Sequence, residues 1–349
     1  MIHNDILSTI GGTPVVRLRR LTVPGTEILI KLEGFNPGGS IKDRAVLSMI
    51  RRAELNGRLR PGGTIIESTS GNVGKALALI GAVNGYRVIL VVDPNAPRSK
   101  LDYVRALGAE IVVVDTADEG GLYQRPRIAR VKQLLQEIPG SFWPDQYDNP
   151  DNPRAHAEQT SYELLSDVPN FDALVTAVGT GGHISGLSST LKRELPGLVT
   201  VGVDAIGSAA MGFPFAGYLM RGLGLPWMPG CLDLDLVDHA HLVADHEGIA
   251  TSIVLAKTEG ILVGESSGAA VFGALHYALH HSPSRIVVVA ADDGIHYLSE
   301  SFNEDWLREH GLQQKIAAAG LTDPERLIEA ARRPQSLPVA LTRRYAITR

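Results

Sequence analysis

The chain is 349 residues long and 44% hydrophobic, enough to bury a large core and more than one small domain needs. Its formal charge of −5 gives no basic footprint for nucleic acid, so small molecules are the expected partners. The single cysteine, Cys231, excludes an intrachain disulfide framework and a cysteine-rich metal site, and reads as a packing residue.

In chain order, the opening MIHNDILSTIGGTP has no charged region followed by an apolar run and no small-residue cleavage site, so no export signal is expected. No stretch approaches the roughly 20 apolar residues of a membrane span. A cytoplasmic protein is expected, with no membrane partner. Residues 36–44, NPGGSIKDR, place Lys42 just after a Pro-Gly-Gly turn and at the start of a helix, IKDRAVLSMIRRAEL. There the positive end of the helix dipole and partial desolvation both favour the neutral amine that Schiff-base chemistry requires. Taken alone, the same lysine also reads as a surface residue on a helix start.

β-Branched runs at 64–67, 87–93, 110–115, 174–177, 200–204 and 285–290 alternate with helical patterns. That rhythm predicts an α/β fold, with mostly parallel sheets covered by helices. The first strand of the series ends in Glu67-Ser68-Thr69-Ser70-Gly71-Asn72-Val73-Gly74, where hydroxyls and backbone N–H groups at a helix start can receive a carboxylate. A Ser/Asn cap explains one or two of these residues but not the whole run. The helix that follows carries Val73, Ala76, Leu77, Leu79 and Ile80 on its apolar positions and is expected to stop at Gly85.

Further along, Val178-Gly179-Thr180-Gly181-Gly182-His183 is again strand, glycine loop, helix. Its glycines let the backbone approach a phosphate closely, and its spacing is neither G-x-G-x-x-G nor a P-loop. Gly264-Glu265-Ser266-Ser267-Gly268 feeds another helix, where a hydroxyl could bond a heterocyclic nitrogen or simply cap. Three strand-helix units fall at 42–144, read as a small mobile lobe. Residues 1–41 and 145–309 are read as a large lobe and 310–349 as a C-terminal tail, with the ligand expected in the cleft between lobes. The histidines lack metal spacing, so no metal is expected, and His239, His241, His280 and His281 read as surface residues.

NPGGSIKDR, TSGNVG, GTGGH and ESSGAA, in that order, with IGGTP at 10–14, QYDNPDNP at 146–153 and RGLGLP at 221–226, resemble the fold-type-II pyridoxal-phosphate family that includes cysteine synthase and cystathionine β-synthase. The resemblance covers about residues 5–300. It implies a tryptophan-synthase-β-like fold, a pyridoxal 5′-phosphate cofactor, amino-acid substrates and a homodimer. Residue by residue, it implies Lys42 as the Schiff-base lysine and base for the Cα proton, and Asn72 at the cofactor's 3′-oxygen. Gly179, Thr180, Gly181, Gly182 and His183 would hold its phosphate, with Ser266 at the ring nitrogen. Thr69, Ser70, Gly71 and Gln146 would bind the substrate carboxylate.

Other segments point to one branch. Ser68 stands where cysteine synthases usually have proline. GGLYQRPRIARV at 120–131, Phe142-Trp143 before Gln146-Tyr147, and DDGIHYL at 292–298 resemble the N-(2-amino-2-carboxyethyl)-L-glutamate synthases of diaminopropionate pathways in siderophore and antibiotic biosynthesis. That branch joins O-phospho-L-serine to the amino group of L-glutamate. A dianionic leaving group needs cationic recognition, for which Arg127 is the candidate, with Ser68 and Tyr147 as further polar contacts. The Gly179-Thr180-Gly181-Gly182 loop instead resembles the sulfhydrylases. His183, Lys75 and Glu265 are unusual for their positions. The competing readings are a cysteine synthase using O-phosphoserine or O-acetylserine with sulfide, and a non-catalytic binding or regulatory homologue. Intact Lys42, Asn72 and Ser266 argue against the last.

Overall fold

The computed structural model describes residues 2–334 and 336–338. The remainder of the expected tail lies outside the described residues. Among them the strands in chain order are β1 (Val15–Arg17), β2 (Glu27–Leu32), β3 (Thr64–Ser68), β4 (Arg87–Val92), β5 (Glu110–Val113), β6 (Ala173–Ala177), β7 (Val199–Ala205), β8 (His239–Val243), β9 (Arg285–Ala290) and β10 (Ser336–Pro338). They form two sheets, and the chain divides into two units, one around each.

The smaller unit takes the residues up to Gly11 and Asn36–Asn152. Its sheet, in order β3-β4-β5, is fully parallel. Its helices are α1 (Lys42–Leu55), α2 (Asn72–Asn84), α3 (Arg98–Ala106) and α4 (Gln124–Glu137). Alternation along the strands serves both faces: Ile65, Val88 and Leu90 join the cluster of Leu77, Ile80 and Val104, whereas Ile66, Ile89 and Val91 join Val131 and Leu134 of α4. Helix α2 ends at Gly85 with φ of 73°, the left-handed cap its sequence predicts. The unit reaches beyond 42–144 because Leu7 and Ile10 bury themselves in the α2 cluster and the Gln146 amide bonds back to Glu67.

The larger unit comprises Gly12–Phe35 and the chain from Pro153 onward. Its sheet runs β1-β2-β9-β6-β7-β8-β10, parallel throughout its interior and antiparallel only where β1 and β10 pair at the edges. Its helices follow α5 (Asp151–Ala155), which begins at the boundary: α6 (Ser161–Asp167), α7 (Gly182–Glu194), α8 (Asp245–Glu259), α9 (Glu265–His281), α10 (Glu304–Glu309), α11 (Leu312–Ala319) and α12 (Pro324–Ala331). Helix α9 is buried along most of its length and is accordingly apolar or small nearly all round. Leu312, Leu327, Ala330 and Ala331 sink into the same core, so the chain after Glu309 continues as packed helices.

Four strands escaped the sequence pattern, the edge strands β1 and β10 and the interior strands β2 and β8, and each of the interior two carries a polar residue that the fold buries. In β2, Lys31 is fully buried, where it donates to the Thr13 carbonyl at 2.9 Å and pairs with Glu163 at 3.2 Å. In β8, the surface reading of His241 is corrected. It is buried, stacks on His276 of α9 with ring centroids 4.3 Å apart, and burial pushes its pKa down to about 3, so the ring packs as a neutral aromatic. Cys231 is buried, and no helix among the described residues is long and apolar enough to cross a membrane.

Candidate active site

In the smaller unit, the turn before Lys42 is held from two sides. Asp43 accepts from the Gly38 amide at 2.6 Å, and Lys75, reaching back from α2, donates to the Gly38 carbonyl at 2.5 Å. Lys75 is buried with its ammonium 4.6 Å from the Tyr103 ring centroid. Its unusual charge therefore serves the turn that delivers Lys42. Lys42 itself is the first residue of α1, partly exposed, and its amide donates to Ser40 Oγ at 3.2 Å.

The carboxylate-receptor loop leaves the end of β3 and enters α2. Thr69 donates its amide to Val91 and accepts at Oγ1 from the Gly71 amide at 3.2 Å, which shapes the turn before Asn72 opens the helix. Beneath the loop lies Glu67, fully buried, whose carboxylate accepts from the Ser68 amide at 2.8 Å, Trp143 Nε1 at 2.9 Å and the Gln146 amide at 3.3 Å. Burial outweighs these bonds and pushes its pKa up to about 7. Gln146 follows Asp145, whose φ of 52° is left-handed, and its side-chain amide lies 3.4 Å from the Ser68 carbonyl. Ser68, Thr69, Ser70, Gly71 and Gln146 thus stand on one connected framework.

Arg127 comes from the first turn of α4 and is only 6% exposed, against the usual fate of an arginine near a helix start. Its Nη1 donates to Asp93 Oδ2 at 2.8 Å and to Ser70 Oγ at 3.2 Å, while its Nε is buried with no acceptor among the described residues. Tyr147 is half-buried within the field of Arg127, and burial pushes its phenol up to about 12. The sequence reading did not single out Asp93 or Glu67, and it named Trp143 only within the Phe142-Trp143 segment. An aspartate that ends a strand before Pro-Asn signals a turn and does not show that it also holds an arginine.

In the larger unit, β6 ends in the 178–183 loop, and α7 starts at Gly182. Gly181 has φ of 79°, and a Cβ there would lie 2.5 Å from that of Leu232, so only glycine fits. His183 turns its ring to Thr176, with Nε2 2.6 Å from Oγ1. Ser266 sits in the first turn of α9, 1% exposed, with its Oγ free of any partner among the described residues. The turn at Arg221-Gly222 closes over it, since a Cβ on Gly222 would come within 3.0 Å of that oxygen. Glu265 explains its own oddity: its carboxylate accepts from the Arg221 amide at 2.5 Å and fastens this turn, with burial raising its pKa to about 7.

With these features in place, comparison with known proteins places the chain. Residues 6–292 match the family described as pyridoxal-phosphate dependent enzyme. The chain is similar to cystathionine beta-synthase of Dictyostelium discoideum, 39% identical over 321 residues that make up 89% of this chain and 64% of that protein. It is also similar to a cysteine synthase of a Flavobacterium species, 41% identical over 266 residues, 76% of this chain and 85% of that one. The crystal structure of O-ureido-L-serine synthase superimposes with a TM-score of 0.81 at 35% identity, covering 88% of this chain and all of the other. The chain spans just under two thirds of the length of the Dictyostelium relative.

Two features of the larger unit suit a bound pyridoxal phosphate. Ser266 Oγ is a buried hydroxyl left over for a heteroaromatic nitrogen, and the loop at Gly181 has backbone where any side chain would collide. In the smaller unit, Lys42 stands at a helix start.

Proposed function

The chain belongs to the pyridoxal-phosphate dependent enzymes, with pyridoxal 5′-phosphate as cofactor, and from that premise we propose that it replaces the phosphate of O-phospho-L-serine with the amino group of L-glutamate. The product is N-(2-amino-2-carboxyethyl)-L-glutamate, a precursor of 2,3-diaminopropionate in siderophore or antibiotic biosynthesis. When bound, the cofactor supplies the electron sink that makes the Cα proton of the substrate removable.

The chain's residues do the rest. Lys42 would hold the cofactor, and its ε-amine would take the Cα proton of the substrate and later return it. Thr69, Ser70, the Gly71 backbone and Gln146 hold the α-carboxylate, and Ser68 and Tyr147 add polar contacts. Asn72 would bond the cofactor's 3′-oxygen, and the backbone of Gly179, Thr180, Gly181, Gly182 and His183 would hold its phosphate. Ser266, a neutral hydroxyl, does not enforce protonation of the ring nitrogen, which restrains the sink and favours prompt loss of the β-substituent. The Cβ–O bond breaks with its electron pair leaving on phosphate, and the glutamate nitrogen bonds to Cβ and gives up a proton.

One observation carries the choice of leaving group. A buried arginine, Arg127, is hydrogen-bonded to the hydroxyl of Ser70 in the carboxylate-receptor loop and keeps an uncommitted buried donor. An acetyl ester has no use for it, whereas a phosphate dianion does. The glutamate nucleophile rests on the likeness of 120–131 and 142–147 to that branch. A cysteine synthase using sulfide is the second reading, supported by the Flavobacterium relative and the Gly179-Thr180-Gly181-Gly182 loop. We also read the enzyme as a homodimer, on the family resemblance.

Incubation with O-phospho-L-serine and L-glutamate, followed by mass spectrometry, tests the proposal. The expected result is the carbon–nitrogen adduct with one phosphate released per adduct. Phosphate release with no adduct would refute it.

A further inference from the structure

The feature left over by the proposed reaction is Asp93. It follows the last residue of β4 and is itself buried, 9% exposed. Two bonds fix it from its own turn: Oδ1 accepts from the Asn95 amide at 3.0 Å, and its carbonyl accepts from the Ala96 amide at 3.1 Å. The other oxygen, Oδ2, is 2.8 Å from Arg127 Nη1. That same Nη1 reaches Ser70 Oγ at 3.2 Å. A guanidinium Nη carries two hydrogens, so Asp93 and Ser70 together use both.

A guanidinium is planar and can grip an anion side-on, through the parallel N–H bonds of Nε and Nη2, or end-on, through Nη1 and Nη2. Commitment of Nη1 removes the end-on edge. The Nε of Arg127 is buried and donates to no partner among the described residues. We propose that Asp93 is a positioning residue that pins Arg127 by Nη1 and so presents its side-on edge to the phosphate of the amino-acid substrate. This rests on the reading of Arg127 given above and names what makes that arginine selective.

A second consequence concerns the receptor loop. Because Ser70 Oγ accepts from Arg127, its own proton is directed elsewhere and is available to the substrate carboxylate. Asp93, Arg127 and Ser70 therefore form one chain that sets the spacing between the carboxylate and the leaving group. A phosphoserine presents both anions at once, whereas O-acetyl-L-serine presents only the carboxylate.

The test compares the holoenzyme with its Asp93→Ala, Asp93→Asn and Arg127→Ala variants. For each, kcat and KM are measured with O-phospho-L-serine and with O-acetyl-L-serine, along with competitive inhibition by inorganic phosphate. Loss of a charge-assisted bond is worth about tenfold to a hundredfold. Asp93→Ala is expected to lose about tenfold more kcat/KM on phosphoserine than on acetylserine, chiefly through KM, with phosphate inhibition weakened in parallel. Asp93→Asn keeps an acceptor oxygen and is expected to restore most of the loss. Equal losses on both substrates, or unweakened phosphate inhibition in Asp93→Ala, would overturn the proposal while a selective loss in Arg127→Ala left the arginine's role intact. If Arg127→Ala affects neither phosphoserine turnover nor phosphate inhibition, the underlying reading fails and takes this proposal with it.

Discussion

At the scale of single residues, burial decides which charges serve the site. Lys75 and Glu265 are unusual for their positions in sequence, and each fastens a turn, at Gly38 and at Arg221. Their roles were illegible because a partner 37 or 44 positions away in the chain leaves no periodic signature. Arg127 and Ser70 were both legible as candidates, and the fold adds the bond between them. Glu67 has the clearest pH consequence. Burial raises its pKa from 4.5 in the unfolded chain to about 7 in the folded one. The folded state thus keeps a proton that the unfolded chain releases, so this group's contribution is full below about pH 4.5 and is lost as pH rises through about 7. Glu67→Gln cannot ionise, so its melting temperature should fall less between pH 5 and pH 7.5 than that of the wild type at saturating cofactor. Parallel declines in the two proteins would show that Glu67 does not titrate as described.

At the scale of elements, the sequence disclosed those whose pattern is local. Strands β3 to β7 and β9 announce themselves as β-branched runs, and α2 as an apolar stripe ending in glycine. Strands β2 and β8 stayed hidden because Lys31 and His241 break the apolar run, and only distant partners or stacking make their burial affordable. The loop between β6 and α7 is the most demanding element, since Gly181 combines φ of 79° with backbone and side chain of Leu232 within 2.7 Å of any added Cβ. Gly181→Ala should therefore cost at least ~1–2 kcal/mol locally and weaken cofactor binding by about tenfold or more. Titration of the apoenzyme with pyridoxal 5′-phosphate reads this directly. Gly197→Ala, where an added Cβ meets nothing within 4 Å, serves as the control. Wild-type affinity in Gly181→Ala would remove the loop from the cofactor site.

At the scale of the whole molecule, the α/β architecture and the pyridoxal-phosphate family were readable because four motifs occur in one order, each at the start of a helix. The limits of the two units were less readable. The leading residues Leu7 and Ile10, and Gln146 just past the last strand-helix pair, join the smaller unit through tertiary contacts alone. The second substrate is harder still to read, because relatives of different named activity match this chain at similar identity. Arg127 is the side chain on which the assignment turns. The most direct measurement is the rate of phosphate release from O-phospho-L-serine as L-glutamate or sulfide is added to the holoenzyme. The account predicts a saturable rise with glutamate that Arg127→Ala abolishes; release indifferent to glutamate but accelerated by sulfide would contradict it.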